Sequence, residues 1–254
     1  MTIKIETLAT RAPEGLSKDD IKKETKLLAE EIKELVTLLY ANKKKSLLVV
    51  LQGMDSSGKD GVSKAVFSRV SPTMVSAYSF KKPSEEEFAH DFLWRVHKQA
   101  PAKGQVKIFV RSHYEDILIQ RVHNWIDEER VTVRIDAINA FEKLLEKDND
   151  TIVMKFFLNL SKDKQKEKLT ERVERTDKHY KHNDGDWQER RHWDAYMAAY
   201  EDALNRSEIK WHVVPSDQRW YRNYFVAKAV ADKLRSLDMT YPELKEKPDL
   251  SSYE

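Results

Sequence analysis

Five short runs rich in valine, isoleucine, phenylalanine and tyrosine divide the chain, and segments with helical periodicity separate them. The runs occupy residues 46–52, 73–80, 106–111, 151–160 and 210–215. Three of them are almost continuously apolar, which is typical of strands that are covered on both faces. The alternation of strands and helices predicts an α/β fold, a three-layer α/β/α sandwich around a five-stranded parallel sheet.

Two long amphipathic helices are expected at the ends of this pattern. The first spans about residues 17–41 and the last about residues 219–237, each with an apolar stripe at helical spacing. Three further helix starts follow from a capping residue with glutamate three positions later. These pairs are Ser84 with Glu87, Ser112 with Glu115, and Asp186 with Glu189, the last opening a long helix with a stripe of Trp193, Met197, Tyr200 and Leu204.

Composition narrows the function. The 254 residues contain no cysteine, which excludes disulfides, thiolate zinc sites and cysteine nucleophiles, and show no linker or repeat, so a single domain over residues 1–254 is expected. Forty-five basic and 43 acidic residues leave a net charge of +2, unlike a uniformly basic nucleic-acid-binding protein. With no apolar leader and no run of about 18 apolar residues, we expect a cytoplasmic protein that binds neither nucleic acid nor membrane.

The segment LLVVLQGMDSSGKDG predicts a phosphate-binding loop. Gly53 and Gly58 stand five positions apart with Lys59 next, between the best strand and a helix, as G-x-x-x-x-G-K requires. Backbone N–H groups, the helix N-terminus and the lysine charge would together hold phosphate. The predicted phosphate-binding residues are Gly53, Ser56, Ser57, Gly58 and Gly61, with Lys64 and Arg121 on a basic track for the rest of the chain of phosphates.

Carboxylates inside a phosphate site are unexpected, because their negative charge repels phosphate. Asp55 lies in the loop and Asp60 follows Lys59, so each either binds Mg²⁺ or caps the helix N-terminus. After the third strand, Arg111 is expected to clamp phosphate, while Glu115 either binds metal or closes the Ser112 capping box. Neighbouring Asp116 is the other acidic candidate there.

A basic segment after the fourth strand predicts a mobile lid over about residues 172–190. Its cations are Arg172, Arg175, Lys178 and Lys181, and in phosphotransferases such insertions bring positive charge to the transferred phosphoryl group. The end of the second strand is expected to carry the acceptor pocket, with Phe80, Lys81 and Lys82 as nucleotide-binding residues.

These motifs together resemble the polyphosphate kinase 2 family of the P-loop kinase superfamily. The resemblance rests on GMDSSGKDG, SFKKPS, HDFLWR, RSHYEDIL, ERVERTDKHYKHNDGDWQER and HWDAYMAAYEDAL, which span about residues 20–240. RSHYED is similar to the subgroup called class III. The chain departs from the family at Val110, where Asn or Asp is common, and at Tyr180, where Trp is frequent.

The resemblance implies Mg²⁺-assisted phosphoryl transfer between inorganic polyphosphate and nucleoside mono- or diphosphates (AMP/ADP, GMP/GDP), with triphosphates among the products. It implies that Asp55, Lys59, Asp60, Arg111 and Glu115 are catalytic, that Asp55 and Glu115 bind metal, and that the chains form homodimers or homotetramers. Two alternatives stay open: an ATP-dependent nucleotide kinase of thymidylate-kinase type, and a regulator that binds nucleotide or polyphosphate without turnover.

Overall fold

The computed structural model describes residues 2–244, and it contains the predicted three-layer α/β/α sandwich. Its five strands form one all-parallel sheet in the order β2-β3-β1-β4-β5. Each strand falls within a run that the sequence predicted, so all five are confirmed. The strands are β1 (Ser46–Gln52), β2 (Val75–Ser79), β3 (Val106–Val110), β4 (Thr151–Asn159) and β5 (Trp211–Pro215).

Ten α-helices lie within the described residues, and the two predicted terminal helices are among them as α1 and α10. Short 3-10 turns at Ile5–Thr7 and Thr176–Lys181 complete the regular structure. The helices are α1 (Lys18–Asn42), α2 (Lys59–Phe67), α3 (Glu85–Ala89), α4 (Trp94–His97), α5 (Glu115–Val122), α6 (Glu128–Lys147), α7 (Lys162–Glu174), α8 (Asp184–Arg191), α9 (Trp193–Arg206) and α10 (Arg219–Arg235).

The packing of both faces of strand β1 explains why its sequence is continuously apolar. Leu47, Val49 and Leu51 pack into a core cluster with α1, α2 and α10, while Leu48 and Val50 pack into a second cluster with α5, α6 and α9. Successive side chains of a strand point to opposite faces, so both faces of the sheet are covered by helices.

The helix-start predictions had mixed outcomes. The capping box at Ser84 is confirmed, because its hydroxyl accepts from the Glu87 N–H at 3.2 Å and the Glu87 carboxylate accepts from the Ser84 N–H at 2.9 Å. The prediction of a capping box at Ser112 is wrong. Helix α5 begins only at Glu115, and the Ser112 hydroxyl accepts from the N–H of Tyr114 at 3.2 Å, which frees the glutamate side chain for the site.

The start predicted at Asp186 is also wrong. Asn183 caps α8 by accepting from the N–H of Gly185 at 3.0 Å, and Asp186 lies inside the helix, where it pairs with Arg172. The helix ends at Arg191, so the predicted stripe belongs to a separate helix, α9, with Met197 only partly buried.

Because all strands are parallel, their carboxyl ends meet at one edge of the sheet, where ligands of open α/β folds bind. Leu51 of β1 pairs with Val110 of β3, which places the loop after Gln52 beside the loop that begins at Arg111. Within residues 2–244, no helix is both long and apolar enough to cross a membrane.

Candidate active site

The loop between β1 and α2 has the backbone of a phosphate cradle. Gly53 and Gly58 adopt positive φ angles of 145° and 96°, which L side chains rarely adopt. The N–H of Ser57 donates to the carbonyl of Met54 at 3.1 Å and closes the turn. The hydroxyls of Ser56 and Ser57 are buried with no hydrogen-bond partner among the described residues, so both remain available to a ligand oxygen.

Lys59, the first residue of α2, folds back into this loop. Its ammonium donates to the carbonyls of Gly53 at 2.6 Å and Met54 at 3.2 Å, and the side chain is buried. Burial lowers the lysine pKa, and the neighbouring Asp55 carboxylate opposes this shift. The ammonium is therefore already desolvated at the centre of the loop, where a phosphate would meet it.

Asp55 and Arg111 connect the two loops at the edge of the sheet. The guanidinium donates to the Asp55 carboxylate in an ion pair. Burial alone would raise the pKa of Asp55, but Lys59 and Arg111 outweigh it and hold that pKa below its usual value. For Arg111, burial would lower the pKa, while Asp55 and Glu115 raise it above its ordinary value.

Arg111 lies in the left-handed region with φ of 62°. Its N–H continues the sheet by donating to the carbonyl of Leu51 at 3.1 Å. A non-glycine residue held in this region costs on the order of 1 kcal/mol, and such strain concentrates at functional sites. The bend turns the side chain out of the strand direction and toward the phosphate loop.

Glu115 is the second carboxylate beside Lys59 and Arg111. With its NH₂ group toward the site, the Gln52 amide donates to the Glu115 carboxylate at 3.0 Å, and its oxygen accepts from the Ser112 hydroxyl at 3.0 Å. Burial raises the Glu115 pKa, against the effect of Arg111 and Lys59, and the charge of Asp55 raises it further. The two carboxylates are thus close enough to repel each other.

This pair of carboxylates fits a magnesium ion shared with phosphate. Residues 2–244 contain no cluster of three or more histidine or acidic side chains arranged for metal. Magnesium in phosphotransferases commonly takes one or two carboxylates, with phosphate oxygens and water supplying the rest. Asp55 and Glu115, whose mutual repulsion a divalent cation would relieve, match that requirement.

In the basic segment at residues 172–190, Arg172 is the cation whose charge acts on the phosphate loop. The charge of Arg172 lowers the pKa of Asp55, so the guanidinium is near the centre of the site. It donates to the carboxylate of Asp186 and to the carbonyl of Lys181 at 3.1 Å. Helix α7 also contacts the loop directly, because the Gln165 amide donates to the carbonyl of Asp55 at 3.2 Å.

The other cations of this segment are held by nearby acids. Lys178 pairs with Glu171, and Arg175 forms two hydrogen bonds with the exposed Asp177 at 2.9 and 3.0 Å. Lys181 lies against the ring of Tyr180 at 5.4 Å from its centroid. Within residues 2–244, no hydrogen bond or ion pair joins any of these three side chains to the phosphate loop.

Several predicted binding residues lie at the rim of the site. Gly61 and Lys64 are exposed on the first turns of α2, and Lys81 and Lys82 are exposed after β2. Asp60, which the sequence predicted to be catalytic, is also exposed on the first turn of α2. Gly61 and the three lysines are therefore accessible to a long anionic ligand, whereas the Asp60 carboxylate would repel it without an intervening cation.

Two predicted binding residues do not fit their roles. Phe80 is 2% exposed and stacks edge-on against Phe109 in the core, so its ring offers no face to a nucleotide. Arg121 forms a bidentate ion pair with Glu128 and donates a further hydrogen bond to Asp202 at 2.8 Å. Its guanidinium is therefore occupied by carboxylates on neighbouring helices, and we remove it from the basic track.

The sequence reasoning missed Arg222, which supports the loop from α10. It donates to the carbonyl of Ser57 at 2.7 Å from a buried position. It also missed the buried pair of Lys155 and Glu142, which holds Tyr114 in the loop that carries Glu115. Lys155 lies inside the apolar run of β4, and this was a sequence signal for the buried pair. The helical spacing of α10 contained no signal for the role of Arg222.

Comparisons with known proteins find relatives over most of the chain. The model of the family described as "Polyphosphate kinase 2 (PPK2)" matches residues 15–242. The AMP/ADP-polyphosphate phosphotransferase of Meiothermus ruber is 43% identical over 220 residues, covering 85% of this chain and 82% of that protein. The ADP-polyphosphate phosphotransferase of Rhodopseudomonas palustris is 37% identical over 84% of this chain and 79% of its own length.

Among solved structures, polyphosphate kinase 2 from Arthrobacter aurescens TC1 superposes with a TM-score of 0.93 at 37% identity. The match covers 99% of this chain and 92% of that one. The shared fold therefore extends over residues 172–190 as well as the sheet.

Proposed function

The chain belongs to the polyphosphate kinase 2 family, and from this premise we propose that it transfers a phosphoryl group from inorganic polyphosphate to nucleoside mono- and diphosphates. AMP, ADP, GMP and GDP are the proposed acceptors, with nucleoside di- and triphosphates as products. The observation that carries the proposal is that Lys59, Arg111, Asp55 and Glu115 lie together at the phosphate loop. Such a site binds and screens several phosphates at once.

The site needs no general base for this reaction. The terminal phosphate of a nucleotide is already an anionic nucleophile near neutral pH, so the protein's task is alignment and charge neutralisation. Lys59 and the loop N–H groups hold the phosphate chain, while Arg111 and Arg172 face the phosphoryl group from the other two segments. The exposed Lys81 and Lys82 are proposed to bind the acceptor.

Magnesium is proposed as the cofactor, because Asp55 and Glu115 provide the carboxylates that would hold it. When bound, Mg²⁺ supplies positive charge to the phosphate oxygens and lowers the repulsion between donor and acceptor. Association into homodimers or homotetramers and a cytoplasmic location remain predictions.

Polyphosphate as the sole phosphoryl donor tests the function. Purified protein is incubated with polyphosphate, Mg²⁺ and either AMP, ADP, GMP or GDP, and the nucleotides are resolved by chromatography. We expect many product molecules per protein molecule. Product formed only when ATP replaces polyphosphate would instead identify an ATP-dependent nucleotide kinase, and binding without repeated turnover would identify a regulator.

Arg172→Ala tests the role of the lid segment. This guanidinium lies near Asp55 and is proposed to stabilise the phosphoryl group in the transition state. We therefore expect kcat to fall by about 10²-fold or more, the usual cost of losing one such donor. The affinity for nucleotide should change little. Initial rates and equilibrium binding measure the two effects separately.

The matched control is Lys166→Ala, which removes an exposed cation from the same helix and should leave both quantities unchanged. Equal losses of turnover and affinity in the Arg172 variant would show that this arginine only binds the ground state.

A further inference from the structure

Arg222 is a buried cation whose hydrogen bonds go to neutral oxygens. Its side chain is nearly inaccessible. Among the described residues, its guanidinium donates only to the Ser57 carbonyl at 2.7 Å and to the Asn223 side-chain oxygen at 3.1 and 3.3 Å. Within residues 2–244 it forms no ion pair with a carboxylate. Burial, together with the nearby Arg219, lowers its pKa to about 10. Burying a charge without an oppositely charged partner is unfavourable, and a bound anion would offset that cost.

The phosphate loop is built around this guanidinium. A Cβ at Gly58 would lie 1.9 Å from an Arg222 nitrogen, and a Cβ at Gly61 would lie 3.1 Å from another. These two glycines of the motif therefore allow the arginine to press against the back of the loop and the first turn of α2. The conformation of the loop therefore depends on its contact with Arg222.

The hydrogen bond to Ser57 sets the direction of one peptide group. The C=O and N–H of a trans peptide point in opposite directions. With the Ser57 carbonyl turned toward Arg222, the N–H of Gly58 is turned away from α10. The unpartnered hydroxyls of Ser56 and Ser57 belong to the same loop. These groups and the charge behind them together form an incomplete anion site.

We propose that Arg222 is a positioning residue behind the phosphate loop: it orients the Ser57–Gly58 peptide, and its unmatched positive charge is balanced by the phosphate that binds in front. The inference rests on the proposed function only in taking polyphosphate as the ligand. It adds that the loop's affinity for phosphate depends on the absence of a carboxylate beside Arg222.

Asn223→Asp tests this dependence with a minimal change of shape. The new carboxylate would accept from Arg222 where the amide oxygen does now, and it would neutralise the guanidinium in the free protein. We expect the melting temperature of the ligand-free protein to rise, and tripolyphosphate to bind about tenfold more weakly, as expected for losing one nearby charge at an intermediate dielectric. Thermal unfolding and isothermal titration calorimetry on the full chain measure the two effects.

Two further variants separate the possible causes. Lys228→Gln changes the net charge by the same amount on an exposed part of α10, and it should bind tripolyphosphate like the original protein. In an Arg222→Gln background, Asn223→Asp should cause no further loss of affinity. If Arg222→Gln does not fold, the comparison of Asn223→Asp with Lys228→Gln decides alone.

The possible results are distinct. Binding within twofold of the original protein in Asn223→Asp overturns the role of Arg222, and so does the same tenfold loss in the Arg222→Gln background, because the carboxylate then acts on the ligand directly. Failure of the unaltered chain to bind tripolyphosphate overturns the proposed function together with this inference.

Discussion

Replacing Lys59 with alanine should lower the kcat of polyphosphate-dependent phosphorylation by about 10³-fold or more, in the range seen when a charged group that stabilises phosphoryl transfer is removed. The lysine ammonium is buried, and within residues 2–244 it donates only to the Gly53 and Met54 carbonyls. A phosphate that enters the loop therefore meets a charge that has already lost its water. Replacing such a preorganised charge with solvent removes stabilisation that water cannot restore.

The measurement is the initial rate with polyphosphate and ADP, accompanied by circular dichroism and thermal unfolding without ligand. We expect the spectrum to be unchanged, because the alanine side chain fits in the same helix turn and the removed ammonium was desolvated. Arg69→Ala is the matched control, since it removes an exposed cation just beyond the same helix, where it pairs with Glu30 at 2.8 Å. A fall of less than tenfold in the Lys59 variant, with the control unchanged, would contradict the assignment.

The sequence predicted this lysine because its chemistry is local. Two glycines, a lysine, a preceding strand and a following helix lie within a short stretch, so the motif and its flanking elements together predict the loop. The five strands were also predictable, since continuous apolar runs are what two covering helix layers require. The strand order was not, because nothing in a run such as residues 106–111 tells which neighbour it pairs with.

The errors arose where a side chain's partner is distant in sequence. Arg121 looked free for phosphate, but Asp202, on α9, lies 81 positions away and takes part of its guanidinium. Phe80 looked like a loop aromatic beside two lysines, yet its ring packs against Phe109 of the neighbouring strand. Arg222 was missed for the same reason, since its contact with Ser57 spans 165 positions. Pairings of this kind are set by the tertiary fold.

The same limit hid the buried pair of Lys155 and Glu142, whose disruption should have the largest effect on stability. The ammonium and carboxylate lie 2.6 Å apart, and both side chains are fully buried. Lys155 also donates to the Tyr114 hydroxyl at 2.7 Å, and that hydroxyl donates to Glu142 at 3.0 Å. Tyr114 directly precedes Glu115, so the network fixes the segment that brings this carboxylate to the site.

Lys155→Met should lower the free energy of unfolding by about 3–5 kcal/mol, because it leaves a buried carboxylate without its cation. In Lys155→Met/Glu142→Gln the charge is absent and the amide still accepts from Tyr114, so most of that stability should return. Urea unfolding of the two variants measures the difference. Equal destabilisation of both would mean that packing around the methionine, and not the unmatched charge, is the cause.

The pH dependence of the same variants gives a test with a definite sign. Burial would raise the pKa of Glu142, but His113 and Lys155 hold it below its usual value. This group therefore stabilises the original protein above the unfolded pKa, and that stabilisation is lost as pH falls through the folded pKa. We expect that without Lys155 the remaining contact with His113 no longer offsets burial and the Glu142 pKa rises above its unfolded value. The variant should then lose stability as pH rises toward neutrality. The destabilisation by Lys155→Met should thus be larger at about pH 7.5 than at about pH 5, while the double variant, which has no carboxyl at position 142, should show no such increase.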